Sequence, residues 1–111
     1  MSEEQARRVG LNESLFRQVN EQIESLNHGF GSDHPTLTVI CECADGDCTD
    51  RIEIDVSEYE EVRSHPRRYI IVPGHELPEF ESVVKNDGRY DVVQKRPGEA
   101  AELAEETDPR S

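Results

Sequence analysis

Residues 36–56 read TLTVICECADGDCTDRIEIDV, and the reading of this stretch decides the fold. In its second half Ile52, Ile54 and Val56 alternate with Arg51, Glu53 and Asp55, the pattern of a strand with one buried and one solvated face. Cys48 to Val56 is therefore one strand and Thr36 to Cys43 the strand before it. Ala44-Asp45-Gly46-Asp47 is the loop that joins them. A four-residue loop pairs Cys43 with Cys48, Cys41 with Asp50, Val39 with Ile52 and Leu37 with Ile54. All three cysteines of the chain then project from the core face at the loop end of one hairpin.

Outward from the hairpin, the upstream segment holds Leu15, Phe16, Val19, Ile23 and Leu26 at helical spacing, with Asn12 as a good N-cap. This predicts an amphipathic helix over 12–27 whose apolar stripe packs on the sheet; presentation of the stripe to a partner is the alternative. His28-Gly29-Phe30-Gly31 ends the helix, and Pro35 excludes helix beyond it. Downstream, Ser57 with Glu60 forms a capping-box pattern for a short helix that ends by Pro66. Arg67 to Val72 is a third strand, stopped by Pro73-Gly74, which throws His75 into a turn. Phe80 to Lys85 and Tyr90 to Lys95 flank Asp87-Gly88, a strong hairpin cue. Residues 99–106 form a short acidic helix or a frayed tail. The fold expected is a small α+β domain with one mainly antiparallel sheet of about five strands, an N-terminal amphipathic helix and one or two short helices. It spans residues 11–104, between a disordered lead (1–10) and a disordered tail (105–111).

At 111 residues with 33% apolar content and a net charge of −13, the core is modest, and a metal would help it. Residues 31–62 hold ten acidic groups against the single Arg51. Direct binding to a nucleic-acid backbone is disfavoured, because affinity there comes from Lys and Arg. A protein partner, basic in character, fits better, as does mimicry of nucleic acid toward a basic partner. No apolar run reaches the length of a membrane helix, and the start lacks the apolar core of a secretory signal, so the expectation is a cytoplasmic protein without membrane contact. In a reducing compartment three cysteines point to metal binding or free thiols rather than a disulfide framework.

Three thiolates converging at one corner repel unless a cation neutralises them, and zinc takes tetrahedral sulfur and nitrogen donors. Iron accepts such donors too. Of the four histidines, His34 precedes the first strand and lies more than roughly 20 Å from Cys43 at about 3.3 Å per residue. His28 belongs to a helix end. Between His65 and His75 the choice depends on strand direction. The link from Ser57 to Pro66 is short for a parallel crossover, which favours an antiparallel third strand and His75. The metal set expected is Cys41, Cys43, Cys48 and His75. Inert buried thiols, and a redox pair of Cys43 with Cys48, are the competing readings.

The run Cys41-Glu42-Cys43, Cys48, Glu58-Tyr59-Glu60 with Val62-Arg63, Pro73-Gly74-His75-Glu76 and Tyr90-Asp91-Val92-Val93 resembles a family of small bacterial proteins of no known activity. The resemblance implies a free-standing small protein and carries over no functional role.

Other clusters read more plainly. Asp45, Asp47 and Asp50 lack the order and the distant Glu of an EF-hand and serve as turn formers. Arg63, Arg67 and Arg68 with His65 form a basic patch that balances Glu58, Glu60 and Glu61. For an enzyme, Cys43 or Cys48 would be the nucleophile and His75 the base. The surrounding carboxylates, however, would raise a thiol's pKa, and no Walker, Rossmann, zincin or nucleophile-elbow pattern is present. The function expected is a zinc-stabilised acidic module acting in protein binding or regulation.

Overall fold

The structure, a computed structural model, describes residues 3–29 and 36–110. The expected helix stop at Phe30-Gly31, together with His34 and Pro35, lies outside them. The elements follow the order α1 (Glu3–Gly29), β1 (Thr36–Ile40), β2 (Arg51–Asp55), α2 (Val56–Arg63), β3 (Arg68–Ile71), β4 (Glu81–Asn86), β5 (Asp91–Lys95) and α3 (Glu99–Glu106). This is an α+β domain with every strand pair antiparallel. The strands form two sheets, β1-β2 and β3-β5-β4, rather than the single sheet expected. β3 takes β5 as its partner, Tyr69 opposite Val93 and Ile70 opposite Val92. The two sheets meet where the Glu42 N–H donates to the Ile70 carbonyl at 2.8 Å. They share one core, from Val39, Ile52 and Ile54 on one sheet to Tyr69, Ile70, Ile71, Val92 and Val93 on the other, with Tyr59 of α2 and Ala104 of α3.

The first hairpin has the register that the alternation dictates, Leu37 opposite Ile54 and Val39 opposite Ile52. Both strands are shorter than expected, so Cys41 and Cys43 leave β1 as irregular backbone. The Cys41 N–H still donates to the Asp50 carbonyl at 2.9 Å, which carries the ladder past the strand end. β2 runs directly into α2. Asp55 takes the N-cap position without a side-chain capping bond, and Ser57 falls inside the first turn, so the Ser57–Glu60 box does not form. Gly88 at φ +91° closes the second hairpin, where left-handed backbone favours glycine. The outer strand β4 carries a bulge between Val83 and Lys85, which twists an otherwise open sheet edge.

The largest departure is α1. It starts at Glu3 instead of Asn12 and packs through its polar side. Glu13, Ser14, Arg17, Asn20 and Glu24 are buried, while Leu11, Leu15, Val19 and Leu26 are exposed. Phe16 and Ile23 are half-buried. Each of these five buried polar side chains reaches a partner from a distant part of the chain. Arg17 donates to the carbonyls of Pro66 and Ala104, both at 2.7 Å, and its guanidinium lies 4.7 Å from the centre of the Tyr69 ring. Ser14 meets Thr107 at 2.6 Å, and Glu13 pairs with Lys95, which also holds Glu81. Burial raises the Glu13 pKa well above the carboxylate range despite that ammonium. α1 crosses α3 closely at Gly10, where a Cβ would stand 3.0 Å from Leu103 Cδ1.

The chain end is tied down as well. Asp108 accepts from buried Arg63 at 2.5 Å, and Arg110 donates to Glu21, Glu24 and Glu60. The expected basic patch is thereby dispersed. Arg63 is fully buried between Glu21 and Asp108, Arg67 pairs with Glu105 and Arg68 with Gln94. Among the described residues no helix is long and apolar enough to cross a membrane.

Candidate metal centre

The hairpin brings Cys41, Cys43 and Cys48 together because their positions share one face at its loop end. The loop is folded by its own polar groups. Asp45 accepts the Asp47 N–H at 2.9 Å through its side chain and the Cys48 N–H at 3.0 Å through its carbonyl, and Asn12 of α1 donates to the Ala44 carbonyl at 3.0 Å. The remaining member comes from the other sheet. After β3, the Val72 carbonyl accepts the His75 N–H at 3.0 Å, and Gly74 at φ +93° turns the chain so that the imidazole points at the thiols.

One ligand atom from each of Cys41, Cys43, Cys48 and His75 lies within 4.8 Å of all the others. His75 Nδ1 stands 3.5 Å from Cys41 Sγ and 3.7 Å from Cys48 Sγ. Tetrahedral zinc with its usual bond lengths separates neighbouring sulfur and nitrogen donors by about 3.6 Å, and two sulfurs by about 3.8 Å. The cluster thus has the donor types of a four-coordinate site, with His75 at near-tetrahedral distances from two of the thiols, and could bind a metal such as zinc. Cys41 and Cys43 are buried and Cys48 is half-buried. A recess of about 290 Å³, lined by Cys43, Ala44, Asp45, Gly74, His75, Glu76 and Leu77, opens beside the cluster and gives an ion a way in.

Burial is the main influence on the thiols and pushes the pKa of Cys41 and of Cys43 upward. Backbone N–H groups act the other way. Val72 donates to Cys41 Sγ at 3.2 Å, and Asp45 donates to Cys43. Such N–H···S bonds are the outer support that thiolate-bound metals use. With Cys41 and Cys43 held protonated by burial, those two thiols are a poor source of a free nucleophilic thiolate.

Three supporting residues were not singled out as functional by the sequence reading. Asp50 Oδ2 lies 3.7 Å from His75 Nε2, the nitrogen turned away from the thiols. The register that places Asp50 opposite Cys41 was the signal for it. Glu42, between the two cysteines, points to the opposite side and is fully buried. It accepts from Asn20 at 2.7 Å and from the Ile70 N–H at 3.0 Å. Burial raises its pKa, and those two donors oppose the rise. Asn20 also brackets Ile40, donating to its carbonyl at 2.9 Å and accepting its N–H at 2.8 Å, so one α1 side chain completes the hydrogen bonds of the segment entering the cysteines.

His65 does not join the cluster: its Nε2 lies 3.8 Å from Glu61, and its side chain is 43% exposed. His34 lies outside the described residues, and His28 is in the last turn of α1. Comparison with protein-family models, with curated proteins and with solved structures gives no match.

Proposed function

We propose that this chain is a small acidic module of the cytoplasm, held together by a structural zinc ion on Cys41, Cys43, Cys48 and His75, that acts by binding a protein partner. The observation that carries the reading is the convergence of the four donors within 4.8 Å from two separate segments. Four protein donors fill a tetrahedral shell and leave no position for substrate, which makes the role structural. An ion there would join the tip of the β1-β2 hairpin to the turn after β3, across the line where the two sheets meet. The partner's character follows from charge. Asp47, Asp50 and Glu53 stand exposed on or beside the hairpin, and such a surface attracts a basic segment while repelling nucleic acid.

The test is metal content by elemental mass spectrometry, with a thiol count, on protein made without a histidine tag or added metal. The expected result is about one zinc per chain with thiols unreactive until chelation, retained in His65→Ala and lost in His75→Ala. Absence of metal with three titratable thiols would end the zinc reading. A reversible loss of two thiols under mild oxidant, with no metal released, would favour a redox pair of Cys43 and Cys48 instead.

A further inference from the structure

The outward face of α1 carries apolar side chains that none of the other described elements covers. Leu11 is 46% exposed, Leu15 57%, Val19 37% and Leu26 55%, and Gln18 and Gln22 are exposed between them. A helix whose buried side is held by hydrogen bonds and ion pairs gains little from that side, since buried charges repay their desolvation poorly. Its stability improves when the apolar side is also removed from water.

We propose that this face is a dimer interface, in which two copies of the chain pair antiparallel through Leu11, Leu15, Val19, Gln22 and Leu26. The spacing of these positions suits a second copy of the same chain. Positions 11, 15, 18, 19, 22 and 26 are symmetric about the midpoint of 18 and 19. In an antiparallel pair Leu11 therefore meets Leu26 of the other copy, Leu15 meets Gln22, and Gln18 meets Val19. A two-fold interface requires that self-complementarity.

Charge points the same way. The chain carries −13 overall, yet those six positions hold no charged residue, so two acidic bodies meet along a neutral strip. Beyond it, exposed Arg8 of one copy falls opposite the C-terminal end of the other's α1, where the helix dipole favours a cation. The strip lies opposite the face packed on the sheets, with Pro109 of the C-terminal segment beside Gln18 and Gln22 at its edge. Its length is about 22 Å at 1.5 Å per residue. Side chains along that length bury on the order of 1,000 Å² over both copies, the lower edge of specific interfaces, and the dimer proposed is a weak one, with a dissociation constant on the order of micromolar.

The test is sedimentation velocity on the full, metal-loaded chain from about 1 to 200 µM, a range that brackets such a dissociation constant, in wild type, Leu15→Glu and Leu15→Glu/Gln22→Lys. The expected result is a concentration-dependent dimer in wild type. Leu15→Glu is monomeric throughout, with unchanged circular dichroism because position 15 is exposed. The double variant recovers the dimer, because the carboxylate introduced at position 15 of each copy faces the ammonium introduced at position 22 of the other. A wild type that stays monomeric at the highest concentration overturns the proposal, and so does a dimer that Leu15→Glu leaves intact. Failure of Gln22→Lys to rescue Leu15→Glu overturns the antiparallel register.

Discussion

His75 and Asp50 stand face to face across the outer side of the cysteine cluster, Nε2 to Oδ2 at 3.7 Å, while Nδ1 of the same ring faces the thiols. A carboxylate behind a metal-binding histidine fixes the ring's orientation and tautomer and makes the ligating nitrogen more basic. Asp50 is exposed, so its replacement leaves the core untouched. Asp50→Asn is expected to weaken zinc binding about tenfold, at the low end for such outer partners. Competition with a chromophoric chelator measures this. Unchanged affinity, with the same melting temperature, would show that the pair at 3.7 Å does not act on the ring.

Chelation tests how much of the fold depends on the ion. The donors come from the hairpin tip and from the turn after β3, segments also joined by the Glu42–Ile70 and Val72–Cys41 bonds and by the core the two sheets share. Structural zinc sites supply roughly 10 kcal/mol or more at neutral pH, comparable to the whole stability of a domain. Thermal melts followed by far-ultraviolet circular dichroism should show the metal-loaded protein losing well over about 10 °C on treatment with a chelator, and recovering on zinc addition. A protein shown to hold zinc that melts at the same temperature without it would remove the structural role.

The hairpins were legible in the sequence because their signals are local. Ile52, Ile54 and Val56 alternate within one strand, and Asp87-Gly88 marks a turn by its own backbone preferences, so register followed from counting. The same counting grouped the cysteines. His75 was reached by a different route from the one the structure uses. It arrives beside the cysteines although β3 pairs with β5 and not with β2, because the two sheets meet through the Glu42–Ile70 and Val72–Cys41 contacts. The orientation of α1 was not legible. Its hydrophobic stripe argues for one face, but the opposite face is held by bonds from Arg17 to Pro66 and Ala104 and from Asn20 to Ile40. Those partners are far away in sequence, and periodicity within a helix contains no information about them.

Glu24 gives a pH dependence with a defined sign. Burial, and after it the neighbouring Glu60, raise its pKa to about 7, although Arg110 works against the shift. In the unfolded chain a glutamate titrates near about 4.3. The folded state therefore holds a proton that the unfolded state has released between those values, and stability declines as pH rises from about 4.5 to about 7. Glu24→Gln removes that term while keeping a carbonyl for Arg110 and offering an N–H to Glu60. At pH 8 the variant is expected to be more stable than wild type by on the order of 2 kcal/mol, the roughly 3–4 kcal/mol of the full shift reduced by solvent screening, with the gap closing toward pH 5. Urea melts of both proteins at each pH measure it. An equal difference at pH 5 and pH 8 would show that Glu24 does not titrate in this range.

Asn20 joins α1 to the segment that carries Cys41 and Cys43, and its removal separates packing from polar satisfaction. Its amide makes three contacts: to the Ile40 carbonyl at 2.9 Å, from the Ile40 N–H at 2.8 Å and to Glu42 at 2.7 Å. Asn20→Leu keeps the size of the side chain and leaves both Ile40 backbone groups and a fully buried carboxylate short of partners. Each buried polar group left without a partner costs about 1–3 kcal/mol, and water entering beside α1 offsets part of the sum. The expected loss is about 2–4 kcal/mol in urea unfolding at pH 7, within the range of a disrupted buried network. Because Glu42 sits between Cys41 and Cys43, the variant should also bind zinc more weakly. Adding Glu42→Gln to Asn20→Leu should recover part of the stability, since a neutral amide in that site no longer needs the donor that stabilised a charge. If Asn20→Leu instead unfolds at the wild-type urea concentration, the three bonds contribute nothing net, and α1 is held by its other contacts alone.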